Sequence, residues 1–258
     1  YTLALAGFYA ALVSAAFELA GAVGAERGLP RRAAGATAVF FVGLASNLVT
    51  AGRFALLALP GPLQRPVAEY VAGRTDYTVT QLLAGADSFS YWSASRVIPG
   101  TINEFPLFAW LNGDLHAHMM GTPTLLLAAA VGYAYYRTPE SELRRRRVLL
   151  LVVIPLVASW QAVQSTWSFP SVLALGWLAA TFAPADPWTL LPVRRLPGAD
   201  AVRRRLPDAK ASDDRRSRGV AAARSEIERL GGALAVAAVA AIAAAVLAAP
   251  FLLGAATG

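Results

Sequence analysis

From Val148 to Pro184 the chain carries no charged side chain. A soluble helix or strand of that length keeps a solvated, charged face, so an uncharged run this long points to a bilayer. One helical crossing takes roughly 20 apolar residues, and this run has room for two short ones. Its middle is polar, with Gln161, Gln164, Ser165, Thr166 and Ser168 followed by Pro170. That composition suits a turn better than mid-bilayer helix. A re-entrant pair is the alternative.

Other apolar runs cover residues 2–24, 33–51, 119–136 and 231–254. With spans at 148–163 and 169–184, they predict one all-α membrane domain, a polytopic transmembrane helix bundle of about six spans. Composition agrees: 56% of residues are hydrophobic and 15% charged, against about 25% charge in a soluble domain. The chain has no cysteine, which excludes disulfides, thiolate catalysis and cysteine zinc sites. It opens at Tyr1 inside an apolar run without a signal-peptide pattern, and the expectation is a segment of a longer polypeptide.

The basic residues orient the spans. They cluster at Arg27, Arg31 and Arg32, at Arg137 and Arg144 to Arg147, and between Arg194 and Arg229, with only Arg53, Arg65, Arg74 and Arg96 elsewhere. The positive-inside tendency puts all three clusters in the cytoplasm, and this also accounts for the net charge of +7 without nucleic acid. Residues 185–230 then form a basic cytoplasmic loop suited to lying on anionic lipid. Residues 54–118 form a long non-cytoplasmic loop, with enough aromatics to be structured.

That outer loop holds the residues best suited to chemistry. Both histidines of the chain, His116 and His118, lie in it beside Glu104 and Asp114. In an extended segment Asp114, His116 and His118 project to one side and can ligate a divalent metal ion. In a helix His116 points away from the other two, and the motif alone cannot complete a three-ligand site. Glu104 joins the set if the chain folds back, for which Asn112-Gly113 is a suitable turn. Plainer readings stand beside these. Asp114 can cap the next span, and Asn103 a short interfacial helix with Glu104 in its first turn. The histidines can be solvated, Arg96 can be a surface charge or a phosphate clamp, and Trp92 and Trp110 can be interface anchors. Glu18 and Asn47 fall inside spans, where an ionised group needs a partner or a cavity. Trp160, Gln161, Gln164 and Trp167 either line an outer cavity or pack.

Three stretches carry a resemblance. W-S-A-S-R-V-I-P at 92–99, T-I-N-E-F-P at 101–106 and G-D-L-H-A-H at 113–118 together resemble the archaeal and bacterial YYY-domain family of multi-span membrane proteins. The opening Y-T-L-A-L-A resembles that family's Y-N-L-A-L-A, with Thr2 for Asn. S-T-W-S-F-P at 165–170 resembles its N-T-W-D-F-P, with Ser165 and Ser168 for Asn and Asp. The family is similar to the C-type membrane glycosyltransferases. The resemblance therefore implies sugar transfer from a polyprenyl-phosphate donor at the outer face of the cell membrane, with a loop carboxylate as base or metal ligand.

The resulting expectation is a glycosyltransferase-like enzyme. Asp114 or Glu104 is catalytic, and Arg96, Trp92, Asn103 and His116 bind substrate. Asp114, His116 and His118 hold a divalent metal ion. The partners are the lipid bilayer and a polyprenyl-phosphate-linked sugar. The rivals are a metal-dependent hydrolase of a lipid-linked substrate, a transporter, and a non-catalytic scaffold.

Overall fold

Glycines decide how the first two helices meet. α1 (Thr2–Glu26) and α2 (Arg31–Val39, continued by a π-helical turn Phe40–Leu44) form an antiparallel hairpin. The link between them is short because Gly28 takes φ +76° and Leu29 N–H returns to the Gly24 carbonyl at 2.9 Å. That is a left-handed glycine stop, followed by Pro30 at the entry to α2. A methyl group at Gly24 would sit 2.5 Å from the Ala34 Cβ, and one at Gly43 2.7 Å from Val13. In lipid, apolar burial does not drive helices together, and close backbone packing over small residues does. Tyr9 fastens the far end by donating its hydroxyl proton to the Gly43 carbonyl at 2.8 Å.

The computed structural model describes residues 2–45, 49–84, 98–101, 106–113, 115–165, 167–192 and 215–257, without side-chain detail at 49–50, 106, 118, 215–225 and 255–257. All regular structure among them is helical. The chain divides into two compact units, Tyr1–Met119 and Met120–Gly258.

In the first unit, Glu18 finds the partner its place in an apolar helix demands: the Arg31 guanidinium hydrogen-bonds its carboxylate across the hairpin. The apolar run 33–51 is not one straight helix. Ala45 turns to an extended conformation (ψ 130°), and a separate helix, α3 (Val49–Leu57), follows. Asn47 lies outside the described residues. The long loop expected over 54–118 contains the rest of α3, α4 (Gly61–Ala72), α5 (Val79–Leu83) and α6 (Pro106–Leu111). α3 to α5 enclose a small core of Leu56, Ala68, Tyr77 and Leu82. A capping box starts α5: Thr78 Oγ1 accepts from Gln81 N–H, and Gln81 Oε1 accepts from Thr78 N–H at 2.8 Å. Arg53 donates to the Ala84 carbonyl at 2.8 Å.

The second unit is built from α7 (Ala117–Arg137), α8 (Leu143–Val148) running through a π-helical turn (Leu149–Val153) into α9 (Ile154–Gln164), α10 (Phe169–Phe182), a 3-10 turn (Pro187–Leu190) and α11 (Arg215–Thr257). Three helical segments of the described chain are long and apolar enough to cross a membrane: Thr2–Glu26, Leu143–Gln164 and Glu226–Gly254. Of the other expected spans, α10 is short, with 14 residues. α7 has 21 residues, but Thr122, Pro123, Thr124 and three tyrosines dilute its apolar character. The core contains Tyr135, Leu150, Ile154, Val172 and Leu190, closed by α11 through Ala233, Val236 and Ala244. Small residues recurring every three or four positions along α11 let it lie close to its neighbours.

Arginines bind one end of this unit together. Arg146 is 1% exposed; it donates to the Tyr135 hydroxyl oxygen at 2.8 Å and to Thr189 Oγ1 at 3.3 Å. Arg147 donates to the carbonyls of Leu190 at 3.0 Å and Thr189 at 3.1 Å. Arg229 donates to the Ala183 carbonyl just past the end of α10, and Trp188 Nε1 donates to the Glu228 carbonyl at 2.8 Å. Guanidinium donors thus meet carbonyls that a helix end leaves without intrahelical partners. Tyr135→Phe removes the acceptor for Arg146 Nη2 and strands a charged donor. The expected loss is about 1–3 kcal/mol, read as a lowered melting temperature of the purified protein in detergent. An unchanged melting temperature contradicts the clamp.

Candidate functional site

The link between α6 and α7 is the described part of the loop in which the sequence concentrates its chemistry. α6 is held by its aromatic face: Phe108 and Trp110 are buried, and the Trp110 ring lies 5.7 Å from the Tyr9 ring at 57°. Trp110 is therefore a packing residue that ties α6 to α1, not an interface anchor. α6 ends at Asn112-Gly113, where Asn112 N–H bonds the Phe108 carbonyl at 2.9 Å and Gly113 N–H the Trp110 carbonyl at 3.2 Å. Gly113 has φ +71°, a conformation that side chains with a Cβ disfavour. The chain turns there, as the Asn-Gly pair predicts.

Leu115 and His116 are non-helical, and α7 begins at Ala117 with Met119 N–H bonded to the His116 carbonyl at 3.0 Å. The D-L-H-A-H motif thus straddles a helix boundary and is neither wholly extended nor wholly helical. The His116 side chain is exposed. His118 sits in the first turn of α7, and its side chain lies outside the described set, as do the residues Trp92, Arg96, Asn103, Glu104 and Asp114. Among the described residues no group of three or more His, Asp or Glu side chains converges as a metal site would.

A second polar group lies in the unit that starts at Met120. Gln161 is 0% exposed, and among the described residues neither its Oε1 nor its Nε2 has a hydrogen-bond partner. Its amide rests on Gly121 of α7, where an added Cβ would meet Nε2 at 2.5 Å. One turn along, Thr124 Oγ1 donates to Gln164 Oε1 at 3.1 Å. Ser165 Oγ and Ser168 Oγ lie 3.1 Å apart in the turn between α9 and α10, beside Trp167, which is 95% exposed. The sequence leaves Gln161 open between packing and cavity lining; the structure makes it a fully buried amide with no hydrogen bond. Nothing in sequence spacing reveals that, because it depends on the glycine opposite.

A buried amide without partners opposes folding, as buried polar groups ordinarily do. Gln161→Leu is therefore expected to stabilise the protein by about 1–3 kcal/mol, seen as a higher melting temperature in detergent. A fall in melting temperature would mean that the amide has a partner, such as a bound water.

Helices long and apolar enough to span a bilayer, arginines gathered at helix ends, and an ionisable pair inside the first hairpin define a polytopic α-helical membrane protein. The family model described as "Uncharacterized membrane protein (DUF2298)" matches residues 1–258, and the chain belongs to that family. No curated protein and no solved structure matches it.

Proposed function

We propose that the protein is a membrane glycosyltransferase that takes a sugar from a polyprenyl-phosphate donor at the outer face of the cell membrane. The observation that carries this reading is the density of acid, base and cation in 96–118, leading into the first turn of α7. The Gly113 turn and the exposed side chain of His116 in the non-helical link support it.

In this reading Asp114, with Glu104 as the other candidate, accepts the proton of an acceptor hydroxyl. The hydroxyl oxygen bonds to the anomeric carbon as the bond from that carbon to the phosphate oxygen breaks. The electron pair leaves with the polyprenyl phosphate. Arg96 and His116 bind the donor phosphate, Arg96 through its forked guanidinium. Trp92 and Asn103 bind the sugar. Asp114, His116 and His118 have the donor chemistry to hold a divalent cation, which when bound would neutralise charge on the leaving phosphate.

The test uses purified protein in liposomes with a synthetic polyprenyl-phosphate-linked hexose and lipid or peptide acceptors bearing hydroxyls. The expected result is sugar on an acceptor and one polyprenyl phosphate released per transfer. Release of free sugar without any acceptor would replace transferase with hydrolase. Unchanged donor across all acceptors would count against both.

A further inference from the structure

In the second unit, one end collects arginines whose hydrogen bonds go to uncharged groups. α8 starts there, α10 ends there at Phe182, and α11 passes there at Glu226, where its apolar part begins. Arg146, Arg147 and Arg229 all reach into the 183–192 segment that joins these ends. Every group they bond is neutral: two hydroxyls and three carbonyls. Among the described residues no carboxylate hydrogen-bonds Arg146, Arg147 or Arg229, and Asp186 Oδ1 accepts from Trp188 N–H at 3.0 Å. The Nε atoms of Arg146 and Arg229 are buried with no hydrogen-bond partner. Arg144 lies one helical turn before Arg147 and is exposed, while Arg145 is taken up by Glu142 at 3.3 Å.

A guanidinium removed from water and left without a carboxylate is unfavourable, and adjacent guanidiniums make it more so. The arrangement is favourable once an anion sits among them. The position says which anion. The cluster lies where helices leave the apolar layer, and its excess of arginine marks that side as cytoplasmic, the leaflet side that carries anionic lipid. A phosphodiester has the oxygens to accept from several guanidiniums at once, and its acyl chains lie along helices that already face lipid.

We propose that Arg144 and Arg147, backed by the buried charges of Arg146 and Arg229, form a binding site for the phosphate of an anionic phospholipid head group. The bound lipid fixes the 183–192 segment across the start of α8, the end of α10 and the side of α11. This site is separate in sequence from the outer-loop residues assigned to sugar transfer, and it stands whether or not that assignment does.

The experiment is native mass spectrometry and thermal melting of the purified full chain, delipidated in a neutral detergent. It is titrated separately with phosphatidylglycerol, phosphatidylcholine and inorganic phosphate. The expected result is retention of phosphatidylglycerol about tenfold or more tighter than phosphatidylcholine, with a raised melting temperature. Arg144→Gln combined with Arg147→Gln is expected to lose that preference. Arg147→Lys keeps the charge and is expected to retain most of it, which separates lipid attraction from the carbonyl bonds that Arg147 makes. Equal binding of the two lipids by the wild type overturns the proposal, as does full phosphatidylglycerol binding by the double variant. Stabilisation by inorganic phosphate but not by phosphatidylglycerol overturns the lipid as the source of the anion.

Discussion

Gly35→Val should prevent the first hairpin from closing. A Cβ at Gly35 would lie 2.7 Å from Phe17 Cδ2, 2.8 Å from Cε2 and 2.8 Å from the Phe17 carbonyl oxygen. The ring can swing aside, but the carbonyl belongs to the backbone of α1 and moves only with the helix. Separating the helices also pulls Arg31 from Glu18 and leaves a carboxylate alone in an apolar segment. Overpacking alone costs about 1–3 kcal/mol, and the lost ion pair adds to it. The variant should therefore be recovered from membranes largely aggregated, as read by fluorescence-detected gel filtration. Gly7→Val, on the other helix of the same hairpin, is the control. Nothing lies within 4 Å of a Cβ there, and that variant should elute as the wild type does. Normal elution of Gly35→Val would show that the hairpin is not held by glycine contact.

Asp114→Asn should lower the rate of sugar transfer by about 10²–10⁴-fold, the range general-base catalysis supplies. The substitution keeps size and hydrogen-bonding capacity and removes the basic oxygen. Its melting temperature should stay near that of the wild type, because the exchange is nearly isosteric. Glu104→Gln distinguishes the two carboxylates. If Glu104 is the base, the large loss moves to that variant and Asp114→Asn keeps most of its rate. If neither change slows transfer, the base lies elsewhere.

Much of the helical architecture is legible in the sequence because bilayers impose length and apolarity directly. The run 148–184 resolves into α8–α9 and α10 with a polar break, and Asn112-Gly113 is a turn because glycine alone takes its φ easily. Contacts across elements are not legible. Glu18 reads as an ionisable group in need of a partner, but only the glycine-packed hairpin shows that Arg31, on the next helix, is that partner. Arg146 reads as one of a row of topology-setting arginines, yet the turn of the helix buries it while Arg144 and Arg147 stay exposed. Trp110 reads as an amphipathic aromatic and proves to be core, because Tyr9 comes to meet it. The 54–118 loop reads as long and structured, but which helices form within it is not legible; α4 and α5 form there with α3 around Leu56, Ala68, Tyr77 and Leu82. The chemistry of Glu104 and Asp114 rests on residue type and spacing, which restrict the reaction class and leave the sugar unspecified.

The most direct test of the transferase reading is mass spectrometry of glycans and lipid-linked sugars in cells whose gene carries Asp114→Ala or His116→Ala, with membrane abundance of the protein checked in each. The account predicts that one sugar species disappears from the glycans and its polyprenyl-phosphate-linked form accumulates, while the protein stays at its normal level. Unchanged glycans and unchanged lipid-linked sugars at normal protein level would contradict it.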